Sequence, residues 1–238
     1  MTPLTKGKYT VRGASGPRDM AQVFELRRLC FGAVGAQADA FDATCEQGVV
    51  VLDDDVVAAF RINIMQPCDI EDTYAAQYYV LSPLHAVTGP LLELGRFCIH
   101  PDHTDPDILR IAWAALTALV DARGITMLFG CASFEGTLTA PYSDAFGLLK
   151  ARHLAPEALM PKVRAGEVYE YAALLHGKPD LARAQAAMPP LLRSYLMMGG
   201  WVSDHAVIDR VMNTLHVFTA VQINAIPPAR KKLLRALV

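Results

Sequence analysis

The stretch LLELGRFCIH, residues 91–100, places a carboxylate, Glu93, and a guanidinium, Arg96, three positions apart inside a run of strand-forming apolar residues. Charges in such a run are costly unless they are paired or used. A carboxylate there can take a proton from an attacking amine, directly or through water. On a regular strand, positions 93 and 96 face opposite sides. A β-bulge at Gly95 would bring both charges towards one cleft. It would also free a backbone N–H able to hold a carbonyl oxygen as it gains negative charge. A structural ion pair to other residues accounts for the same two charges equally well.

Other groups invite the same double reading. Arg27 and Phe31 are four apart, on one face of a helix or at its end, and ordinary surface and core would explain them. Asp39 and Asp42 are three apart; they suit a cationic substrate, or they cap a short helix, which is the commoner use. Arg61 interrupts VVAAF-INIM and would normally mark the polar face of an amphipathic strand. His100 and His103 lack the further ligands a metal site needs, so no metal is expected. Cys131 and Ser133 stand outside any G-x-S-x-G nucleophile pattern. Cys98 and Cys131 read as core thiols. Arg230, Lys231, Lys232 and Arg235 crowd one short helix. That is a solvated face, or a docking patch for an acidic partner or anionic lipid.

These residues need elements to position them. KYTVRGA (8–14) reads as a first strand. Pro17 and Asp19 open an amphipathic helix with Val23, Leu26, Leu29 and Cys30 as its buried stripe, ended by Gly32 and Gly35. The segment AQADAFDATCEQ is a loop or short helix. Residues 48–65 form a hairpin turning at DDD. Residues 75–81 suggest another strand. The strand at 91–100 leads through a loop to a helix over 108–122, stopped by Gly124, and then to a strand at 125–133. That order is a βαβ unit, so part of the sheet is expected to be parallel. PYSDAFGLLKARHL predicts a helix, EVYEYAALL is ambiguous, PPLLRSYLMMGG opens a helix on proline, and HVFTAVQI is a late strand. PPARKKLLRALV is a basic C-terminal helix. The fold class is α+β: one domain over 1–238, with a helical C-terminal elaboration from about residue 176.

Bulk properties exclude more than they identify. The 238 residues are 53% hydrophobic and 19% charged, which fits a folded chain with a substantial core. A net charge of -2 gives no bulk attraction to nucleic acid. The longest apolar run, IAWAALTALV, is too short to span a bilayer. MTPLTKGKYT lacks a signal-peptide core, and five scattered cysteines suggest reduced thiols, so a cytoplasmic location is expected. Contact with the inner face of the cytoplasmic membrane is compatible with this composition.

Taken in order, R-x-x-x-F at 27–31, D-x-x-D at 39–42, Arg61 and E-x-x-R-F at 93–97 form a series. It resembles the acyltransferase branch of the GNAT superfamily that includes acyl-homoserine-lactone synthases. The stretches ELGRFCIHPDH, WAALTALVDARGITMLFGCASFEGT, LLKARHLAP and PPLLRSYLMMGGWVSDHAVIDRVMNT are similar to the L-ornithine N-alpha-acyltransferases of ornithine-lipid synthesis. The resemblance covers nearly the whole chain. It implies a GNAT-like mixed β-sheet flanked by helices. It also implies transfer of a 3-hydroxyacyl group from acyl carrier protein to the alpha-amine of an amino acid, giving a lyso-aminolipid. By this resemblance Glu93 is the base and Arg96 its catalytic neighbour. Arg27, Phe31, Asp39, Asp42, Arg61, Phe97 and Ser133 shape the substrate site.

One departure bears on the donor. GNAT enzymes that use coenzyme A carry a glycine-rich turn before the helix that follows the fourth strand, and its N–H groups hold pyrophosphate. Here the turn is PDHTDPD, with no glycine and three aspartates, and it would repel pyrophosphate. The expected donor is therefore 3-hydroxyacyl-phosphopantetheine on acyl carrier protein, with no bound cofactor. The basic helix at 230–235 would dock the acidic carrier. The alternatives are the same chemistry on another amine such as glutamine, an acyl-homoserine-lactone synthase, and a non-catalytic acyl-chain or membrane-binding module.

Overall fold

The computed structural model describes residues 1–236. The last two residues of the expected C-terminal helix lie outside that range. The chain forms two compact units. The first holds residues 1–64, 92–125 and the segment from Pro227 onward; the second holds 65–91 and 126–226.

The first unit contains strands β1 (Leu4–Lys6), β2 (Tyr9–Gly13), β3 (Glu46–Leu52), β4 (Asp55–Met65) and β6 (Leu91–Ile99), paired in that order. The pairs from β1 to β4 are antiparallel. Its helices are α1 (Gly16–Gly35), α2 (Pro106–Arg123) and α7 (Pro228–Arg235). The β3–β4 hairpin follows from two β-branched runs around Asp53 and Asp54. Both turn residues have positive φ, +48° and +71°, a two-residue turn whose twist matches that of paired strands and which aspartate tolerates. The ladder slips once, between Val50 and Val51. Further along, Gly48 faces Phe60, where a Cβ would lie 2.3 Å from the ring. That close approach lets Phe60 lie flat and stack on Phe97 of β6, with centroids 5.7 Å apart.

Helix α1 begins with Pro17, whose missing N–H costs nothing in a first turn. Asp19 accepts from the Ser15 N–H at 2.6 Å and pairs with Arg12 of β2. Val23, Leu26 and Arg27 are buried. Leu29, expected in the same stripe, is 43% exposed. It sits six positions after Val23, about 120° off the buried face at 100° per residue. Gly32 interrupts the helix at φ +74°, one turn before its end. Helix α2 is capped by Asp105, whose carboxylate accepts from the Asp107 N–H at 3.0 Å, and it stops at the left-handed Gly124. Arg235 of α7 donates twice to Asp121 of α2, both at 2.8 Å.

The second unit has a sheet of β7 (Met127–Glu135), β12 (Thr214–Gln222), β11 (Ala206–Asp209) and β9 (Val168–Tyr169), with β10 (Trp201–Val202) also against β12. Short strands β5 (Tyr79–Val80) and β8 (Lys162–Val163) pair separately. Its helices are α3 (Ser143–Arg152), α4 (Tyr171–Leu174), α5 (Leu181–Ala187) and α6 (Pro190–Met197). The strand expected over 75–81 is shorter, because Ala75–Gln77 form a 3-10 turn. The ambiguous EVYEYAALL divides into β9 and α4. The C-terminal stretch supplies the expected helices together with strands β10 to β12, and β12 pairs along the whole of β7.

This second unit buries a polar cluster. The Tyr79 hydroxyl donates to the His216 carbonyl at 2.9 Å and lies 3.1 Å from His216 Nδ1. Burial pushes the His216 imidazole down to about 4, with Asp209 opposing the shift. Among the described residues no helix is long and apolar enough to cross a membrane.

Candidate active site

The first unit assembles a chain of charges from four elements. Arg27, on the buried face of α1, donates to Asp42 Oδ1 at 2.8 Å and to Gln47 Oε1 at 2.7 Å. Arg61 of β4 donates through Nη1 to Asp39 Oδ1 at 2.5 Å and to Asp42 Oδ1 at 3.1 Å. Arg96 of β6 donates to Asp39 Oδ2 at 2.9 Å. Arg27 and Arg61 are almost completely buried, Arg96 is 12% exposed at its side chain and Asp39 25%. Asp39 is thus the carboxylate of the pair that reaches solvent.

Local sequence explains how the two aspartates are held. Asp39 is the N-cap of the 3-10 turn Ala40–Ala43 and Asp42 its third residue, and the two form a reciprocal cap. Asp39 accepts from the Phe41 N–H, and Asp42 accepts from the Asp39 N–H, both at 3.0 Å. Capping and ion pairing, weighed as alternatives from the sequence, occur together, because each carboxylate has lone pairs enough for both. Burial by itself would raise both acids. The guanidiniums of Arg61 and Arg96 outweigh it at Asp39, and that of Arg27 does so at Asp42, so both stay below their ordinary value.

In β6 the left-handed backbone angle falls on Arg96, the residue after Gly95. Arg96 has φ +51°, a left-handed conformation costing roughly 1–2 kcal/mol for a residue with a Cβ. A Cβ at Gly95 would lie at ordinary contact distance, 3.9 Å, from Arg61 Nε. Glu93 is buried two residues earlier. Its charge reaches the Cys45 thiol, which burial pushes up and Arg61 pulls down.

The structure thus gathers Arg27, Asp39, Asp42, Arg61 and Arg96, with Glu93 close by. Phe97 stacks on Phe60. Phe31 is partly buried against the cluster of Val23, Leu26 and Cys98. Ser133 lies in the second unit, exposed on β7 and paired across the ladder with His216. Arg235 is held by Asp121, while Lys232 is exposed. Two participants carry no motif. Gln47 bridges Arg27 and Asp42, its amide donating to Asp42 at 3.1 Å. Phe41 carries the Arg61 guanidinium 5.5 Å above its ring. The usable signal for Gln47 is a polar residue heading the run GVVVL. Among the described residues, no cluster of three or more His, Cys, Asp or Glu side chains is placed to hold a metal.

Comparison with known proteins gives this arrangement a family. Residues 21–114 match the acetyltransferase (GNAT) domain. The chain is 38% identical over 200 residues to an L-ornithine N(alpha)-acyltransferase of Rhodobacter capsulatus, covering 79% of this chain and 75% of that protein. It is 29% identical to the protein of the same name from Brucella abortus, over 92% of this chain and 86% of the relative. In three dimensions it resembles FeeM, an N-acyl amino acid synthase from uncultured soil microbes. The TM-score is 0.55 at 10% identity, over 94% of both chains, which establishes a shared fold, a mixed sheet flanked by helices. By sequence identity over most of its length, by its matching domain and by its fold, the chain belongs to the L-ornithine N(alpha)-acyltransferase family of GNAT enzymes.

Proposed function

We propose that the protein transfers a 3-hydroxyacyl group from the phosphopantetheine thioester of acyl carrier protein to the alpha-amine of ornithine, giving lyso-ornithine lipid. The observation that carries this reading is a buried Glu93 on the strand that also supplies Arg96 to the Arg–Asp network, within a chain of this family. An amine must be neutral to attack. At a pKa of about 8, losing its proton at pH 7 costs about 1.4 kcal/mol. Glu93 receives that proton, directly or through water. The amine nitrogen then adds to the thioester carbonyl, the C–S bond breaks, and the carrier thiol leaves with a proton. No covalent enzyme intermediate is required. Once Glu93 has taken the proton, three arginines face two aspartates, and that surplus positive charge suits the oxyanion formed on the way.

Two observations support the carrier as donor. The N-terminus of α2 is already occupied by the Asp105 carboxylate, which also accepts from Tyr9 at 2.9 Å and faces Lys8 at 3.5 Å. Bound pyrophosphate would meet that charge. The exposed Lys232 on α7, together with Arg230 and Lys231, offers positive charge to an acidic carrier surface or to anionic lipid at the inner face of the cytoplasmic membrane.

One observation favours a second acceptor. Asp39 and Asp42 are engaged by arginines, and Asp144 by Arg183 at 3.0 Å. None of the three stands ready for a cationic side chain, which keeps glutamine as an alternative amine. Mass spectrometry of purified enzyme with 3-hydroxyacyl carrier protein and an equimolar amino-acid mixture decides between them. N-acyl ornithine is the expected product. N-acyl glutamine would move the substrate, and an intact carrier thioester would overturn the reading.

A further inference from the structure

Two cysteines share one apolar cluster beside the charge network. Cys30 lies on α1, one turn beyond Arg27, and Cys98 lies on β6, two residues beyond Arg96. Cys98 is buried within the cluster of Val23, Leu26, Val49 and Ala59, and Cys30 packs against that cluster from its rim. The Cys30 sulfur is 3.3 Å from the carbonyl oxygen of Ile99, the residue after Cys98. Cys30 is partly exposed, so a small oxidant can reach it.

We propose that Cys30 and Cys98 form a paired oxidation site that closes to a reversible disulfide and, in doing so, turns down acyl transfer. The two cysteines share one apolar cluster, and the Cys30 sulfur lies against the backbone of the residue next to Cys98. The neighbouring Cys98 holds the Cys30 thiol below its ordinary value against the effect of burial. Cys98 is pushed well above its own, by Cys30 and by burial. Cys30 is accordingly the attacking group and Cys98 the resolving one.

With oxidised glutathione as the oxidant, the Cys30 thiolate attacks one of its sulfurs. A mixed disulfide forms and one glutathione thiolate leaves. Cys98 then loses its proton and attacks the Cys30 sulfur, releasing the second glutathione. Two electrons pass from the cysteine pair to the glutathione disulfide. Closing the pair brings the two sulfurs to about 2.05 Å. That draws the end of α1 towards β6, displacing Arg27 and Arg96, the residues at opposite ends of the network. Displacements of about 1 Å in a positioned site are enough to cost orders of magnitude in rate.

The test treats the full-length reduced enzyme with oxidised glutathione, blocks remaining thiols and digests with trypsin. The expected product joins the peptide of residues 29–61 to that of residues 97–110. Because the first peptide also contains Cys45, fragmentation must place the link at Cys30. Acyl transfer, which rests on the function proposed above, should fall at least tenfold and return with dithiothreitol. Cys30→Ser and, independently, Cys98→Ala should keep their activity in the oxidant. Glutathione found only on the exposed Cys68, or a cross-linked enzyme with full turnover, would overturn the proposal. The linkage is read by mass, so the pairing of the two cysteines is decided even if the assigned reaction fails.

Discussion

Arg96 donates to Asp39 at 2.9 Å from a backbone held at φ +51°. The ion pair and the unfavourable conformation oppose each other in stability, and they can be separated from any role in transfer. Replacing Arg96 with glycine relieves roughly 1–2 kcal/mol of backbone strain and removes a guanidinium whose partner keeps Arg61. Thermal unfolding of Arg96→Gly should shift by only a few degrees. Its rate of N-acyl product formation should fall at least tenfold. A variant that loses stability sharply while retaining its rate would assign Arg96 to the fold alone.

Asp42 presents the opposite case. It accepts from Arg27 and Arg61, both almost fully buried. Asp42→Asn keeps the shape and removes the compensating charge. Breaking a buried pair in this way costs about 3–5 kcal/mol. Urea denaturation should show a midpoint lowered accordingly, with an unchanged slope.

Glu93→Gln is nearly isosteric and leaves the Arg–Asp contacts in place. Turnover should drop by about 100-fold or more, within the range typical of a lost general base, while circular dichroism and melting stay close to those of the parent. Full transfer activity in this variant would remove Glu93 from the proton path.

The pH dependence of stability divides into two windows. His216 is held down to about 4 by burial, and an unfolded histidine titrates near 6.5. Between these values the unfolded chain binds more protons than the folded one, so stability falls as pH drops from about 6.5 to about 4. His153, lowered by burial and then by Arg152, contributes with the same sign. Below about 4 the carboxylates take over. Arg12 holds Asp19 down to about 2 despite burial, and Asp39 and Asp42 are also depressed, so their stabilisation is lost as pH falls further. Denaturation at stepped pH should show both slopes, and His216→Gln should flatten the upper one.

Much of this site is legible as residue types in order. Singly only Glu93 and Arg96 are out of keeping with their surroundings; Arg27, Asp39, Asp42 and Arg61 become legible through their order in the series R-x-x-x-F, D-x-x-D, Arg61, E-x-x-R-F. Gln47 is harder to see for a physical reason. Counting back from the two-residue turn would place it opposite Phe60, but the slip between Val50 and Val51 moves it opposite Arg61. A one-residue shift changes the face of every side chain beyond it, and nothing in VVVLDDDVVAAF announces the bulge. Arg96 misleads similarly: the glycine beside it is the residue expected to turn the chain, yet the arginine takes the left-handed angle. Leu29 is apolar without being buried, because helical phase outranks composition.

The reciprocal cap around Ala40–Ala43 has an implication for how the cluster comes together. Asp39 accepts from the Phe41 N–H and Asp42 from the Asp39 N–H, contacts only two or three residues long, whereas their guanidinium partners are 15 to 57 positions away in sequence. The acidic half can therefore form early and locally, at little cost in chain entropy. Bringing Arg27, Arg61 and Arg96 to it requires α1, β4 and β6 all to be docked. Charge compensation is complete only at the end of that sequence, so the cluster acts as a proofreading step: a chain with one element misplaced leaves a buried charge exposed to the full penalty of isolation.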